Sequence, residues 1–218
     1  YCSFLLHGVT GSGKTEVYIR AVSAARRRGL GAVVLVPEIS LTPQFLGRFV
    51  THFGGDVAVL HSGLGPRERR LQWEKVRSGR APIAVGTRSA VFAPVARLGI
   101  IVVDEEHEAS YKQEEGLRYH AKHVALQRAR FAGAVALLGS ATPDVETYWG
   151  VKQGRYRSLG LSQRALSSGG PSVEVVDLRQ EERRRRSRVL LSEPLRTHVS
   201  GALGRSEQVL LFLNRRGF

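Results

Sequence analysis

Gly8-Val9-Thr10-Gly11-Ser12-Gly13-Lys14-Thr15 decides the fold class. It has the phosphate-loop pattern G-x-x-x-x-G-K-[ST], set between the apolar run Ser3–His7 and the amphipathic stretch Lys14–Arg28. A strand that feeds a helix through such a turn predicts an α/β sheet with a nucleotide at its edge. Gly8, Gly11 and Gly13 allow the backbone N–H groups of the turn, Ser12 included, to converge on phosphate oxygens. Lys14 is expected to reach the β- and γ-phosphates and the Thr15 hydroxyl to ligate Mg²⁺. A dinucleotide-binding turn fits poorly, because its glycine spacing is absent and it has no role for Lys14 and Thr15.

A second motif completes the first. Asp104-Glu105-Glu106-His107 follows the apolar run Leu98-Gly99-Ile100-Ile101-Val102-Val103. An acid that ends a buried strand lies at the carboxyl edge of the sheet, where the phosphate loop also opens. Asp104 is the expected Mg²⁺ partner, and Glu105 the expected base that orients or deprotonates the attacking water. His107 has two readings, a satisfied loop histidine or a link between nucleotide state and the neighbouring strand. The pair of motifs predicts an ATP-driven motor core.

Outward from these motifs, apolar and amphipathic segments alternate. Strands are expected at Ser3–His7, Ala32–Pro37, Val57–His61, Ile83–Thr87, Leu98–Asp104, Val135–Ser140, Val173–Asp177 and Gln208–Leu213. Helices are expected at Lys14–Arg28, Leu41–Phe53, Pro66–Arg77, Ala121–Arg130, Asp144–Gln153 and Glu193–Leu203. Such alternation implies parallel strands joined by helical crossovers. The fold class is a P-loop, RecA-like parallel sheet with helices on both faces, followed by an incomplete second RecA-like lobe. Residues 1–153 form the ATP-binding lobe, 154–170 a linker with a polar Gly/Ser-rich core, and 171–218 the start of the second lobe. The run Glu181–Arg188 reads either as a solvated loop or as an arm on DNA.

Composition narrows the class further. Of 218 residues, 42% are hydrophobic, which suits a globular protein and not a disordered one. No apolar stretch is long enough for a membrane span, and no signal peptide is visible. The single cysteine, Cys2, forms neither an internal disulfide nor a zinc site by itself, and a reducing cytoplasm is the natural compartment. The net charge of +14, from 33 basic and 19 acidic residues, suits a polyanion such as nucleic acid. Arginine-rich coding at high GC content is the other reading. The start at Tyr1 and the end at Phe218, each beside a strand-like run, read as a piece cut from a longer protein.

The order of Gly8–Thr15, Pro37–Gln44, Val85–Phe92, Asp104–His107 and Gly139-Ser140-Ala141-Thr142-Pro143 resembles the superfamily 2 helicases. More narrowly, Gly8–Tyr18, Ser110–His120 and Leu211–Phe218 look like the bacterial replication-restart helicases. That resemblance implies an ATP-dependent 3′→5′ DNA helicase that binds stalled forks, D-loops and single strands. It implies primosome proteins and single-strand-binding protein as partners, in a bacterial cytoplasm near the nucleoid. Lys14, Thr15, Asp104 and Glu105 would handle Mg-ATP, and Ser140 and Thr142 would couple hydrolysis to movement. Thr87 and Arg88, with Pro37 and Glu38, would lie near the DNA backbone track, although Thr87 and Arg88 alone also read as an ordinary strand end.

Ser110–His120 resembles the family's aromatic-rich loop, where Tyr111, Tyr119 and His120 would stack bases and Lys112 and Arg118 would meet phosphates. Tyrosines that pack the loop onto the core are the alternative. Leu117 departs from the family's aromatic residue and removes one stacking face. Asn214, Arg215 and Arg216 match the fourth motif, facing the interlobe cleft or solvent. The resemblance puts fork-binding domains before Tyr1. It puts zinc-binding cysteines, with their Zn²⁺, after Phe218, along with an arginine that completes the ATP site. Such arginines contribute about 10³–10⁵ in rate in related motors, so this chain alone is expected to hydrolyse ATP poorly. A motor acting on RNA or on duplexes, and a fork-binding scaffold, are the rival classes. Intact Lys14, Asp104 and Glu105 argue against the scaffold.

Overall fold

The computed structural model describes residues 1–164, 172–185 and 190–212. The chain divides into two compact units, Tyr1–Ser168 and Gly169–Phe218.

In the first unit the strands are β1 (Cys2–Gly8), β2 (Gly31–Leu35), β3 (Val57–Leu60), β4 (Ile83–Gly86), β5 (Leu98–Val103), β6 (Lys112–Gln113), β7 (Tyr119–His120), β8 (Val135–Ser140) and β9 (Arg157–Leu161). The helices are α1 (Lys14–Arg27), α2 (Pro43–Phe53), α3 (Pro66–Arg77), α4 (Ala121–Phe131) and α5 (Val145–Lys152). Seven strands form one sheet in the order β3-β4-β2-β5-β8-β1-β9. Every pairing in it is parallel. β6 and β7 form a separate antiparallel pair.

Successive strand residues point to opposite faces, and both faces are buried. Leu5, Val33, Leu35, Ile101, Val103 and Leu138 join one core with Val76 of α3 and Ala121, Ala125 and Ala129 of α4. Leu6, Val34, Ile83, Ile100, Val102 and Leu137 join the other with Tyr18, Ile19 and Val22 of α1 and Phe49 of α2. Unbroken apolar runs such as Gly31–Leu35 are what a doubly covered parallel sheet requires. Because the strands are parallel, each crossover returns the chain to the amino edge, and the loops after β1, β2, β4, β5 and β8 gather at the carboxyl edge. β8 lies between β1 and β5, which seats Ser140 between the phosphate loop and the acidic motif.

Several boundaries differ from the expected ones. α2 starts at Pro43 and not Leu41, because the Thr42 hydroxyl accepts from the Phe45 N–H at 3.2 Å and fixes the helix start. The sheet runs through Leu161, since Arg157–Leu161 pairs with β1, so the first part of the stretch read as linker is an edge strand. Its exposed, alternating-poor sequence hid it. The expected strands Val173–Asp177 and Gln208–Leu213 have no ladder partner among the described residues, and Val173 and Val175 are 79% and 91% exposed. A strand without a neighbour leaves its backbone groups unpaired. The described part of the second unit instead holds α6 (Leu178–Arg185) and α7 (Glu193–Gly204), the latter capped by the Ser192 hydroxyl, which accepts from the Leu195 N–H at 3.3 Å. No helix among the described residues is long and apolar enough to cross a membrane.

Candidate active site

The phosphate loop turns through left-handed glycines, Gly11 at φ 77° and Gly13 at φ 90°. Gly13 directly precedes α1 and provides no side-chain cap, so the first N–H groups of the helix face out of the turn. The Ser12 N–H donates to the Val9 carbonyl at 3.0 Å and closes the turn. Ser12 Oγ is buried without a hydrogen-bond partner and lies 2.6 Å from where a Cβ on Gly8 would sit. Open amides, an orphaned hydroxyl and a helix N-terminus fit a polyphosphate.

Lys14 is buried, and its Nζ donates to the Gly8 carbonyl at 3.0 Å. The same ammonium lies 3.5 Å from Glu105 Oε1. The turn after β1 and the turn after β5 therefore meet at one point on the sheet edge. Glu105 holds a left-handed backbone at φ 43°, unusual for a residue with a side chain and costly by about 1–3 kcal/mol.

Asp104 is held from both sides by phenols. Tyr18 Oη donates to Asp104 Oδ1 at 2.7 Å, and Tyr111 Oη donates to the Asp104 carbonyl at 2.7 Å. Burial raises the Asp104 pKa, and Glu105 adds to this. The Tyr18 hydrogen bond and Lys14 pull it down without cancelling the rise. Both phenols are raised well above their ordinary value, chiefly by burial and then by the charge of Asp104. Room for Tyr18 comes from β8: a Cβ on Gly139 would come within 1.7 Å of Tyr18 Oη.

His107 bridges two motifs. Its Nδ1 lies 2.8 Å from Ser140 Oγ and its Nε2 lies 3.4 Å from Thr142 Oγ1. Nδ1 is also 3.8 Å from Glu105 Oε2. The Thr142 N–H donates to Ser140 Oγ at 2.9 Å, which folds the turn back on itself. These contacts satisfy both ring nitrogens of His107 and join it to the end of β8, an arrangement common to both of its readings.

The aromatic loop departs from its reading in one respect. Tyr111 is fully buried with its hydroxyl on Asp104, so it is a core residue and presents no face to a base. Arg88 acts as a strut beneath that residue, its Nη1 donating to the carbonyls of Ser110 at 3.0 Å and Lys112 at 2.8 Å. Thr87 is buried at the end of β4, with its N–H donating to the Leu60 carbonyl at 3.0 Å. Lys112, Arg118, Tyr119 and His120 do converge, with Gln113 and Glu114, around an open cleft of about 520 Å³. Tyr119 sets its edge against Phe92, with centroids 5.0 Å apart, and His120 stacks on His123 at 4.7 Å. Burial, then His123 and Lys122, lower the His120 pKa, so the ring is neutral over a wider pH range. Lys112 pairs with Glu114 at 3.2 Å, and Leu117 is 80% exposed. Asn214, Arg215 and Arg216 lie outside the described residues.

Sequence reasoning passed over Tyr18, Glu106, Lys122, Asp144 and Thr147. A helical spacing of four from Lys14 places Tyr18 on the same face of α1, and Asp144 three residues before Thr147 is a readable helix cap. Nothing local marked Glu106 or Lys122 as buried. Among the described residues no group of three or more His, Cys, Asp or Glu side chains is arranged to hold a metal ion. Thr15 and Asp104, completed by phosphate oxygens, are the donor types Mg²⁺ takes.

A family model described as DEAD/DEAH box helicase matches residues 2–148. The chain is 48% identical to the replication restart protein PriA of Bacillus subtilis, over 99% of this chain and 27% of that protein. It is 44% identical to PriA of Haemophilus influenzae, over 99% of this chain and 29% of that protein. The chain thus spans less than a third of the length of either curated relative. Among solved structures, RecG bound to a three-way DNA junction aligns with a TM-score of 0.54 at 23% identity, over 77% of this chain and 21% of RecG. With a seven-stranded parallel sheet, a phosphate loop and an acidic motif at its edge, the chain belongs to the DEAD/DEAH box helicase family.

Proposed function

We propose that the chain forms the nucleotide-binding motor lobe of a replication-restart DNA helicase, coupling ATP hydrolysis to 3′→5′ strand displacement at stalled forks and D-loops. The observation that carries this is the meeting of Lys14 and Glu105 at 3.5 Å on the edge where Asp104, His107 and Ser140 also end. The similarity to the replication restart proteins of Bacillus subtilis and Haemophilus influenzae supports the restart role.

In this reading the amides of Gly11 and Gly13 and the Lys14 ammonium hold the phosphates of ATP, in a turn that Ser12 closes through its N–H to Val9. Thr15 and Asp104 would hold Mg²⁺, which neutralises phosphate charge when bound. Glu105 takes the proton of the attacking water. His107 carries the change to Ser140 and Thr142. Lys112, Arg118, Tyr119 and His120 grip single-stranded DNA, and Thr87 and Arg88 support that grip from beneath the loop. The first lobe runs through β9, whose Arg157–Leu161 pairs with β1, and residues 171–218 begin the second. Primosome proteins, single-strand-binding protein and a zinc site belong to the longer protein, in the cytoplasm.

The test has two arms. Fluorescent ATP should bind the 218-residue chain in a Mg²⁺-dependent way, and Lys14→Ala should abolish that binding. In a chain extended to the relatives' length, forked DNA and not RNA should stimulate phosphate release, and Lys14→Ala should lower the rate by about 10²–10³. Absence of nucleotide binding by the wild-type chain would overturn the reading.

A further inference from the structure

Lys122, in the first turn of α4, is 4% exposed and plays no part in the chemistry above. Its ammonium donates to Glu106 Oε2 at 2.9 Å, to Thr147 Oγ1 at 3.3 Å and to Asp144 Oδ2. These partners come from the acidic motif and from the start of α5, so one cation joins three parts of the fold. Burial acts to lower the lysine's pKa, but the bonds to Asp144 and Glu106 outweigh it and hold the ammonium above its usual range.

Glu106 ties down both ends of the turn between β8 and α5. Its N–H donates to the Gly139 carbonyl at 3.0 Å. Its Oε1 accepts the Asp144 N–H at 2.9 Å, and its Oε2 accepts the Thr147 hydroxyl at 2.9 Å. Asp144 Oδ1 accepts the Thr147 N–H at 2.6 Å and caps α5. Between the two anchored ends lie Ser140 and Thr142, the residues that meet His107. Glu106 is 1% exposed, and a carboxylate so buried holds this geometry only while a cation neutralises it. Without Lys122, Glu106 and Asp144 would face each other as like charges, and the Asp144 end of the turn would be pushed off its anchor.

We propose that Lys122 is a positioning residue of the nucleotide site: by holding Glu106 and Asp144 together it sets the 139–144 turn that presents Ser140 and Thr142 to His107. The consequence for hydrolysis rests on the motor-lobe reading, whereas the effect on His107 does not. Side-chain NMR of the histidine-labelled 218-residue chain reads the geometry directly, with the His107 ring signals identified by their loss in His107→Gln. Lys122→Met should displace those signals and Lys122→Arg should return them towards the wild-type positions. In the extended chain, Lys122→Met should lower kcat for ATP by about 10–100-fold while KM stays within about twofold, the split expected when an orienting group is lost.

A folded Lys122→Met with wild-type His107 signals, or with unchanged kcat, overturns the proposal. Should that variant not fold, Lys122→Met/Glu106→Gln removes one charge of each sign. The same displacement is expected there, and wild-type His107 signals would again overturn it. Failure of the wild-type chain to bind ATP would sink the motor reading and leave the His107 result standing. Unchanged His107 signals would sink this proposal and leave nucleotide binding intact.

Discussion

Two aspartates at the same sheet edge, Asp104 buried and Asp144 half-buried, are treated in opposite ways. Asp104 meets neutral phenols and a lysine shared with Glu105, and its carboxyl is pushed up by burial. Asp144 meets the full charge of Lys122 and the N–H of Thr147. Burial alone would raise it, but these bonds hold it at about 2. The difference separates a carboxylate finished within the protein from one left with a neutral phenol and a shared lysine, the disposition that the Mg²⁺ role proposed for Asp104 needs. A group kept short of positive partners at a cost to folding is what a metal-nucleotide site requires.

Breaking the finished cluster should have the largest effect on folding. Lys122→Met leaves the buried Glu106 and the half-buried Asp144 without their cation, and denaturant unfolding should show a loss of about 3–5 kcal/mol. Next, Gly139→Ala would drive a methyl group into Tyr18 Oη and dislodge the phenol from Asp104. Overpacking of this kind costs about 1–3 kcal/mol, measurable as a lower Tm, and should weaken Mg²⁺-dependent nucleotide binding.

The smallest test turns on the sign of each shift. Asp144 sits below its ordinary 3.8, so its contribution is present above that value and lost as pH falls towards about 2. Asp104 sits above 3.8, so protonation favours the fold, and that gain is lost as pH rises through its folded value. Asp144→Asn should therefore flatten the acid limb of a Tm-against-pH curve. Asp104→Asn should instead raise stability near neutral pH by about 0.5–2 kcal/mol while abolishing function. Equal pH profiles for the two variants would erase the comparison.

How much of this was legible follows from what each part depends on. The phosphate loop and the acidic motif are local patterns, and α3 and β8 match their expected limits because proline, glycine and apolar runs mark them. The meeting of Lys14 with Glu105 follows from strand order, which the alternation of strands and helices foreshadowed. Tyr111 misled because an aromatic residue reads alike whether it packs a core or stacks a base. Only the path of the loop across Asp104 decides it. Lys122 was invisible because a lysine in the first turn of a helix normally points to water, and its partners are scattered over 40 residues of sequence between Glu106 and Thr147. β9 was missed because an edge strand needs no apolar pattern of its own.

The backbone of Glu105, at φ 43°, carries a consequence for anyone who tries to improve this protein. Glycine at that position would relax the chain and raise its melting temperature, yet it would delete the carboxylate to which the proposed function gives the activation of water. A screen rewarding heat tolerance alone would favour that exchange, and would return a sturdier molecule stripped of the group on which the proposed chemistry depends.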